Sequence, residues 1–296
     1  MRVLISGASG LVGTELRAQL KEAGHEPISL VRRPAFDDTE VEWHPELGFI
    51  TEGAMENIDA VVNLAGATTG RLPWTKSYKK LLISSRLDST RTLVEAIRTA
   101  KKKPKVLISG SASGFYGDTG NESKSESAPK GTGFLSDLAA AWEQEALKAQ
   151  SLTRVVLIRT TLVMSRKLGA LGRLLPLVKL GVGGPLGPGK QWWAFISLRD
   201  EARAIIHLIN NTDASGAFNL TAPESATCAQ MVSALAKKLN RPAFLPVPSF
   251  ALRLAFGEGA DELLICNQQM TADRLLQSGF KFEHPTLESA VDYVLS

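Results

Sequence analysis

The sequence predicts an α/β protein: a doubly wound parallel sheet with a smaller C-terminal lobe. Two observations carry this expectation. Over residues 1–165, short apolar, β-branched runs alternate with helical stretches, the pattern of strands buried on both faces and joined by crossover helices. Beyond residue 165 that alternation gives way to a broken, glycine- and proline-rich segment followed by large aromatics. We therefore assign 1–165 to the sheet domain and 166–296 to a substrate-lobe region that returns some elements to the sheet.

The first strand is Val3 to Ile5, and glycines follow it at positions 7, 10 and 13. Val12, Leu16 and Leu20 then recur at helical spacing. Strand, glycine turn and helix in that order make a phosphate site. Gly7 permits the tight turn, Gly10 lets a pyrophosphate approach the backbone, and Gly13 lets the helix pack against the sheet. The helix N-terminus adds free N–H donors and a partial positive charge. Glycine triplets also mark ordinary turns, so it is the flanking strand and helix that point to a dinucleotide.

Pro27 to Val31 reads as the second strand, and Arg32 and Arg33 follow it directly. A dinucleotide fold reads the adenosine ribose there: an acidic residue would hold the 2′-hydroxyl of NAD, whereas arginine grips the 2′-phosphate of NADP. The other reading is a pair of solvated loop arginines. The residues favour NADP (NADPH). Val41 to Trp43 reads as a short strand and Asp59 to Ala67 as a buried one ending in Asn63, Leu64, Ala65 and Gly66, small residues where such sheets place ligands. Tight strand-to-loop packing would use the same residues.

A helix is expected from Thr75 to about Ala100, a strand over Lys105–Ser109, a helix over Asp137–Gln150 and a strand over Arg154–Arg159. Between them lies Gly110-Ser-Ala-Ser-Gly-Phe-Tyr-Gly-Asp118, a small-residue loop bearing hydroxyls and one tyrosine. Gly181 to Gly189 is too broken for regular structure, and Gln191 to Ile196 forms either a substrate wall or the joint between lobes. Asp200 is expected to cap a helix running through His207. Phe218 begins a strand, and Ala226 to Leu239 an amphipathic helix.

The net charge of +4 is modest and spread along the chain, with no accompanying aromatic platform, which argues against a nucleic-acid partner. Cys228 and Cys266 stand far apart, and the four histidines lack ligand spacing, so neither a disulfide framework nor a metal site is expected. No apolar stretch reaches membrane-spanning length, and the first strand begins where a leader would stand. A cytoplasmic monomer or homodimer acting on a small molecule fits these features.

Together these segments resemble the short-chain dehydrogenase/reductase superfamily in its extended, epimerase-like branch, and more closely the atypical YfcH-type group of epimerase family proteins. The resemblance rests on the glycine triplet, Asn63 to Gly66, Ser84-Ser-Arg86, Ser111 to Asp118, Trp142-Glu143, Gly183 to Trp192, Asn219 to Pro223 and Phe256-Gly257. It implies a Rossmann domain with NADP between the lobes. Gly7, Ser9, Gly10, Leu11 and Val12 would touch the pyrophosphate and Arg32 the 2′-phosphate. Leu64, Ala65 and Gly66 would line the adenine–ribose side, with Arg86 near the phosphates and Leu162 near the nicotinamide. The sequence departs from the superfamily in its chemistry. Ordinary members carry a Tyr-x-x-x-Lys pair that relays a proton, and Gly133 to Trp142 contains none. Tyr116, Ser111 and Ser113 are the candidate catalytic hydroxyls; equally, they are loop hydrogen-bonders and a packed ring. The chain is thus either an NADP-dependent oxidoreductase or epimerase with a rearranged acid–base group, or a non-catalytic NADP(H)-binding protein.

Overall fold

The computed structural model describes residues 1–166 and 169–296. Its strands are β1 Arg2–Ser6, β2 Glu26–Val31, β3 Glu40–His44, β4 Phe49–Ile50, β5 Ala60–Asn63, β6 Val106–Ala112, β7 Arg154–Thr160, β8 Leu162–Met164, β9 Trp192–Trp193, β10 Phe195–Ser197, β11 Gly216–Leu220 and β12 Ala226–Thr227. The main sheet has the order β11-β7-β6-β5-β1-β2-β3-β4 and is parallel except at the β3–β4 edge. From β1 the chain builds outward through β2 and β3, then returns to β5 on the other side. The order reverses between β1 and β5, and ligands of such sheets bind at that switch point.

The apolar runs are continuous because both faces are covered. Along β1, Val3 and Ile5 enter one core and Leu4 the other, as the two-residue period of a strand requires. On the first face, α1 (Leu11–Glu22) supplies Leu16 and Leu20. The opposite face is covered by α2 (Lys76–Thr99), with Leu93 and Ile97, and by α3 (Phe134–Leu147), with Ala146.

The chain beyond residue 165 divides its elements. α4 (Gly169–Lys179), a helix the sequence pattern did not indicate, packs in a separate core with α6 (Cys228–Lys238) and the C-terminal helix Leu287–Leu295. α5 (Leu198–Asn210) and β11 instead join the main sheet: Ile205 and Leu208 share the core of α1, and β11 pairs in parallel with β7. Two local expectations are corrected. Ser197, not Asp200, caps α5, its hydroxyl accepting the Asp200 N–H at 3.0 Å. The helix expected from Ala226 begins at Cys228, because Ala226 and Thr227 pair with β9 first.

Candidate functional site

At the C-terminal end of β1 the backbone folds tightly onto β5. Gly7 has φ +69°, and a Cβ there would stand 2.6 Å from the Leu64 carbonyl oxygen. A Cβ on Gly13 would stand 2.3 Å from the Gly7 carbonyl oxygen. Neither position admits a side chain. Gly10 differs: it is exposed, caps α1 with its N–H bonded to the Gly7 carbonyl at 2.9 Å, and a Cβ would meet only that oxygen, at 3.2 Å. The Gly7 carbonyl would have to give by a few tenths of an ångström to admit that Cβ, so Gly10 is restricted far less than Gly7 or Gly13; the first turn of a helix at such a position offers N–H donors suited to an anion. Ser9 is exposed beside it, with Leu11 and Val12 half-buried.

The two arginines after β2 have different surroundings. Arg33 makes a bidentate pair with Glu40 (2.6 and 2.7 Å) and lies 4.1 Å over the Phe36 ring. Its hydrogen bonds hold the Glu40 carboxyl down at about 2. Arg32 is exposed and has no hydrogen bond or ion pair among the described residues, so its guanidinium is open to a phosphate. If it takes the 2′-phosphate, Arg32→Ala weakens NADPH by about tenfold or more, the scale of one charge-assisted contact. NADH affinity stays nearly unchanged in the same fluorescence titration; an equal loss for both cofactors refutes the assignment.

Leu64, Ala65 and Gly66 run directly beneath the glycine turn. The Ser6 hydroxyl donates to Asn63 Oδ1 at 2.6 Å and accepts the Leu64 and Ala65 N–H groups at 3.2 Å. Asn63 and the Trp142 indole N–H both donate to Thr90 Oγ1 (2.8 and 2.9 Å), which donates onward to the Arg86 carbonyl at 2.7 Å. Arg86 itself curls under Gly66, donating to the Ala67 and Leu82 carbonyls and facing the Trp142 ring at 5.2 Å. It has no carboxylate partner among the described residues, and burial pulls its guanidinium down to about 10. A desolvated cation of this kind suits a phosphate ligand. Leu162 lies in β8, which pairs with β10, and its N–H donates to the Ala194 carbonyl.

The three candidate hydroxyls are all bonded. Ser111 donates to Glu143 at 2.6 Å, and Glu143 grips Arg159 through both oxygens (2.8 and 2.9 Å). Arg159 donates to the Tyr116 hydroxyl at 2.7 Å, and Tyr116 donates to Asn219 Oδ1 at 2.7 Å. Asn219 closes the network by donating to the Lys124 and Thr271 carbonyls. Burial pushes the Tyr116 hydroxyl above its ordinary value, against the opposing pull of Arg159. Ser113 lies outside this network and donates to Gln268 Oε1 at 2.6 Å.

Sequence reasoning gave no role to Glu143, Arg159, Asn219 or Gln268. The available signal was a pair of charges, Glu143 and Arg159, in otherwise apolar elements, each 5 % exposed in the fold. A charge at such a position requires a partner, but nothing local names which one.

Glu201 is a further buried carboxyl, 1 % exposed, in the first turn of α5. Thr160 donates to its Oε1 at 2.6 Å and its Oε2 has no partner among the described residues. Burial pushes it up to about 8. With the folded value raised above the unfolded one, the unfolded chain gives up this proton first, and stability falls as pH rises from about 4.5 to about 8. The slope from this group is at most about 1.4 kcal/mol per pH unit. Glu201→Gln should flatten that slope in urea denaturation; an unchanged slope means the carboxyl does not titrate as described.

A cleft of about 290 Å³ opens beside the β6–α3 connection, lined by Gly114, Leu135, Glu262 and Gln268 among others. Glu262 accepts the Phe134 and Leu135 N–H groups (2.7 Å each), which is why α3 starts three residues earlier than the sequence pattern suggested. Among the described residues no group of three or more His, Cys, Asp or Glu could hold a metal ion, and no helix is long and apolar enough to cross a membrane.

Switch point, glycine cradle and flanking cations define a dinucleotide-binding α/β protein of the short-chain dehydrogenase/reductase type. Residues 3–221 match the model of the NAD dependent epimerase/dehydratase family, and 247–294 match a domain of unknown function, DUF1731. The chain belongs to the NAD dependent epimerase/dehydratase family. It is 39% identical to an epimerase family protein of Mycobacterium leprae, over 98% of this chain and 94% of that one. The structure of human epimerase family protein SDR39U1 with NADPH superposes with a TM-score of 0.93 at 31% identity, over 99% of each chain. UDP-glucose 4-epimerase of Thermus thermophilus, in complex with NAD, shares the fold at 17% identity and a TM-score of 0.78, over 100% of this chain and 99% of that one.

Proposed function

We propose that this protein binds NADP(H) and acts as an oxidoreductase or epimerase-like enzyme on a small molecule held in the Gly114–Gln268 cleft. The observation that carries the reading is the cradle at Gly10, open to a ligand while Gly7 and Gly13 are closed by packing, with the unpaired Arg32 at the expected 2′-phosphate position. The NADPH in the human relative supports the same cofactor. Gly7, Ser9, Gly10, Leu11 and Val12 would hold the pyrophosphate, with Gly13 letting α1 pack close to the sheet, and Arg86 an adjoining phosphate, with Arg33 bracing the adenosine end through Glu40. NADPH supplies a hydride. The chain's own part is to orient both ligands and to exclude water.

A second reading, a non-catalytic NADP(H)-binding protein, is favoured by a specific observation. Ser111 and Tyr116 are engaged with Glu143, Arg159 and Asn219, and among the described residues no lysine is hydrogen-bonded to either hydroxyl. Tyr116→Phe separates the readings. We expect it to cost about 1–3 kcal/mol, because Arg159 and Asn219 each lose a partner, and to leave NADPH binding unchanged. Single-turnover oxidation of bound NADPH with carbonyl substrates should be slow and should change only a few-fold in the variant. A fall of about a hundredfold or more would establish Tyr116 as the proton donor.

A further inference from the structure

The cleft wall specifies its ligand more closely than the cofactor loop does. Gln268 is fixed from three directions. Its N–H donates to the Trp192 carbonyl and its own carbonyl accepts from the Ala194 N–H, both at 2.8 Å. The Ser113 hydroxyl donates to its Oε1 at 2.6 Å. With the amide oxygen taken, Nε2 uses one N–H on the neighbouring Cys266 sulfur and has its second left for a ligand at the cleft wall. Burial pushes that thiol up to about 12, so it is uncharged.

The charges around the cleft have one sign in excess. Asp118, Asp261 and Glu262 line it against Arg253, and Arg253 is already bonded to Asp261 at 2.9 Å. Asp118 is satisfied by neutral donors, the Gly120 and Asn267 N–H groups and the Asn267 amide. Glu262 is likewise bonded to neutral N–H groups of α3. Asp118 and Glu262 therefore have no cationic partner among the described residues. At about 290 Å³ the space is also small for a ligand pocket, the usual range being about 300–1,000 Å³.

We propose that this cleft takes a small uncharged carbonyl or hydroxyl compound, whose oxygen accepts a hydrogen bond from Gln268 Nε2, and that it rejects nucleoside diphosphate sugars. A diphosphate would bring further negative charge to a wall whose only guanidinium among the lining residues is already paired. Ser113 is then a positioning residue that fixes which end of the Gln268 amide faces the ligand. The inference rests on the cleft being the substrate site of the reading above, and its test follows cofactor and ligand separately.

In that test the protein is loaded with NADPH, with occupancy read from the cofactor's fluorescence. Cyclohexanone, benzaldehyde, glyceraldehyde and UDP-glucose are each offered at millimolar concentration and observed by saturation-transfer NMR. At least one of the three neutral probes should bind, and UDP-glucose should not. Gln268→Ala should weaken the neutral probe about tenfold and leave the NADPH titration unchanged. Ser113→Ala should weaken it with at most a small fall in melting temperature from the one lost hydrogen bond, and Ser113→Thr, which keeps the hydroxyl, should restore it. Binding of UDP-glucose to the loaded protein overturns the proposal. So does failure of all three neutral probes, or probe binding that survives Gln268→Ala. Failure to load NADPH at all overturns the cofactor reading instead.

Discussion

Gly10→Val is expected to abolish NADPH binding while leaving the protein folded. A Cβ at this position meets one protein atom within 4 Å, the Gly7 carbonyl oxygen at 3.2 Å. The backbone there, at φ −74°, is open to any L-residue. The folding cost is then that of a poorer N-cap, about 1 kcal/mol, and of a shift of a few tenths of an ångström at the Gly7 carbonyl. The valine methyls, however, fill the space where a pyrophosphate would approach the first N–H groups of α1, so affinity should fall by about a hundredfold or more, corresponding to loss of two or more contacts to a charged group. Gly13→Val is the contrasting variant. Its Cβ would stand 2.3 Å from a backbone oxygen, so it should unfold the domain rather than silence it. Fluorescence titration and circular dichroism on both variants distinguish the two effects. A folded Gly10→Val protein that binds NADPH normally would sink the phosphate-cradle reading.

Glu143→Ala should be among the most destabilising single changes in the chain. It leaves the Arg159 guanidinium, 5 % exposed, without its only carboxylate among the described residues, and strips Ser111 of its acceptor. Arg159 is held 3.6 Å over the Phe115 ring, where water cannot readily replace the lost partner. Breaking a buried ion pair from one side costs about 3–5 kcal/mol, which for a domain of this size is a fall in melting temperature on the order of 10 °C. Glu143→Gln keeps the shape and one acceptor and should cost less. A melting temperature within about 2 °C of wild type for Glu143→Ala would mean the pair contributes little, as exposed pairs do.

Much of the architecture was legible from residues 1–165 because its signals are local. Val3–Ile5, Ala60–Val62 and Val155–Ile158 are strand segments buried on both faces, and such segments can be little other than apolar. The glycine spacing likewise marked the turn, since only glycine fits where β1 folds against β5. The lobe beyond residue 165 was less legible. Short strands such as Trp192–Trp193 and Ala226–Thr227 are defined by each other rather than by any period of their own. Asp200 was misread for a related reason. As a helix-start acid it looked like a cap, but Ser197 fills that role and Asp200 is buried under the Glu283 and His284 N–H groups, more than eighty residues away.

What the sequence by itself determined is the sheet, its glycine cradle and the arginines that follow β2. Those features depend on apolar period and backbone freedom within a dozen residues. Only the tertiary structure decided that Arg33 belongs to Glu40 while Arg32 is open, that Ser111 and Tyr116 are joined through Glu143 and Arg159, and that Ser113 orients Gln268 from 155 residues away. Side chains of one charge or one hydroxyl are interchangeable in a sequence. Which partner each one meets is set by where packing brings distant elements together, and that choice fixes whether a polar group is free to act or already bound.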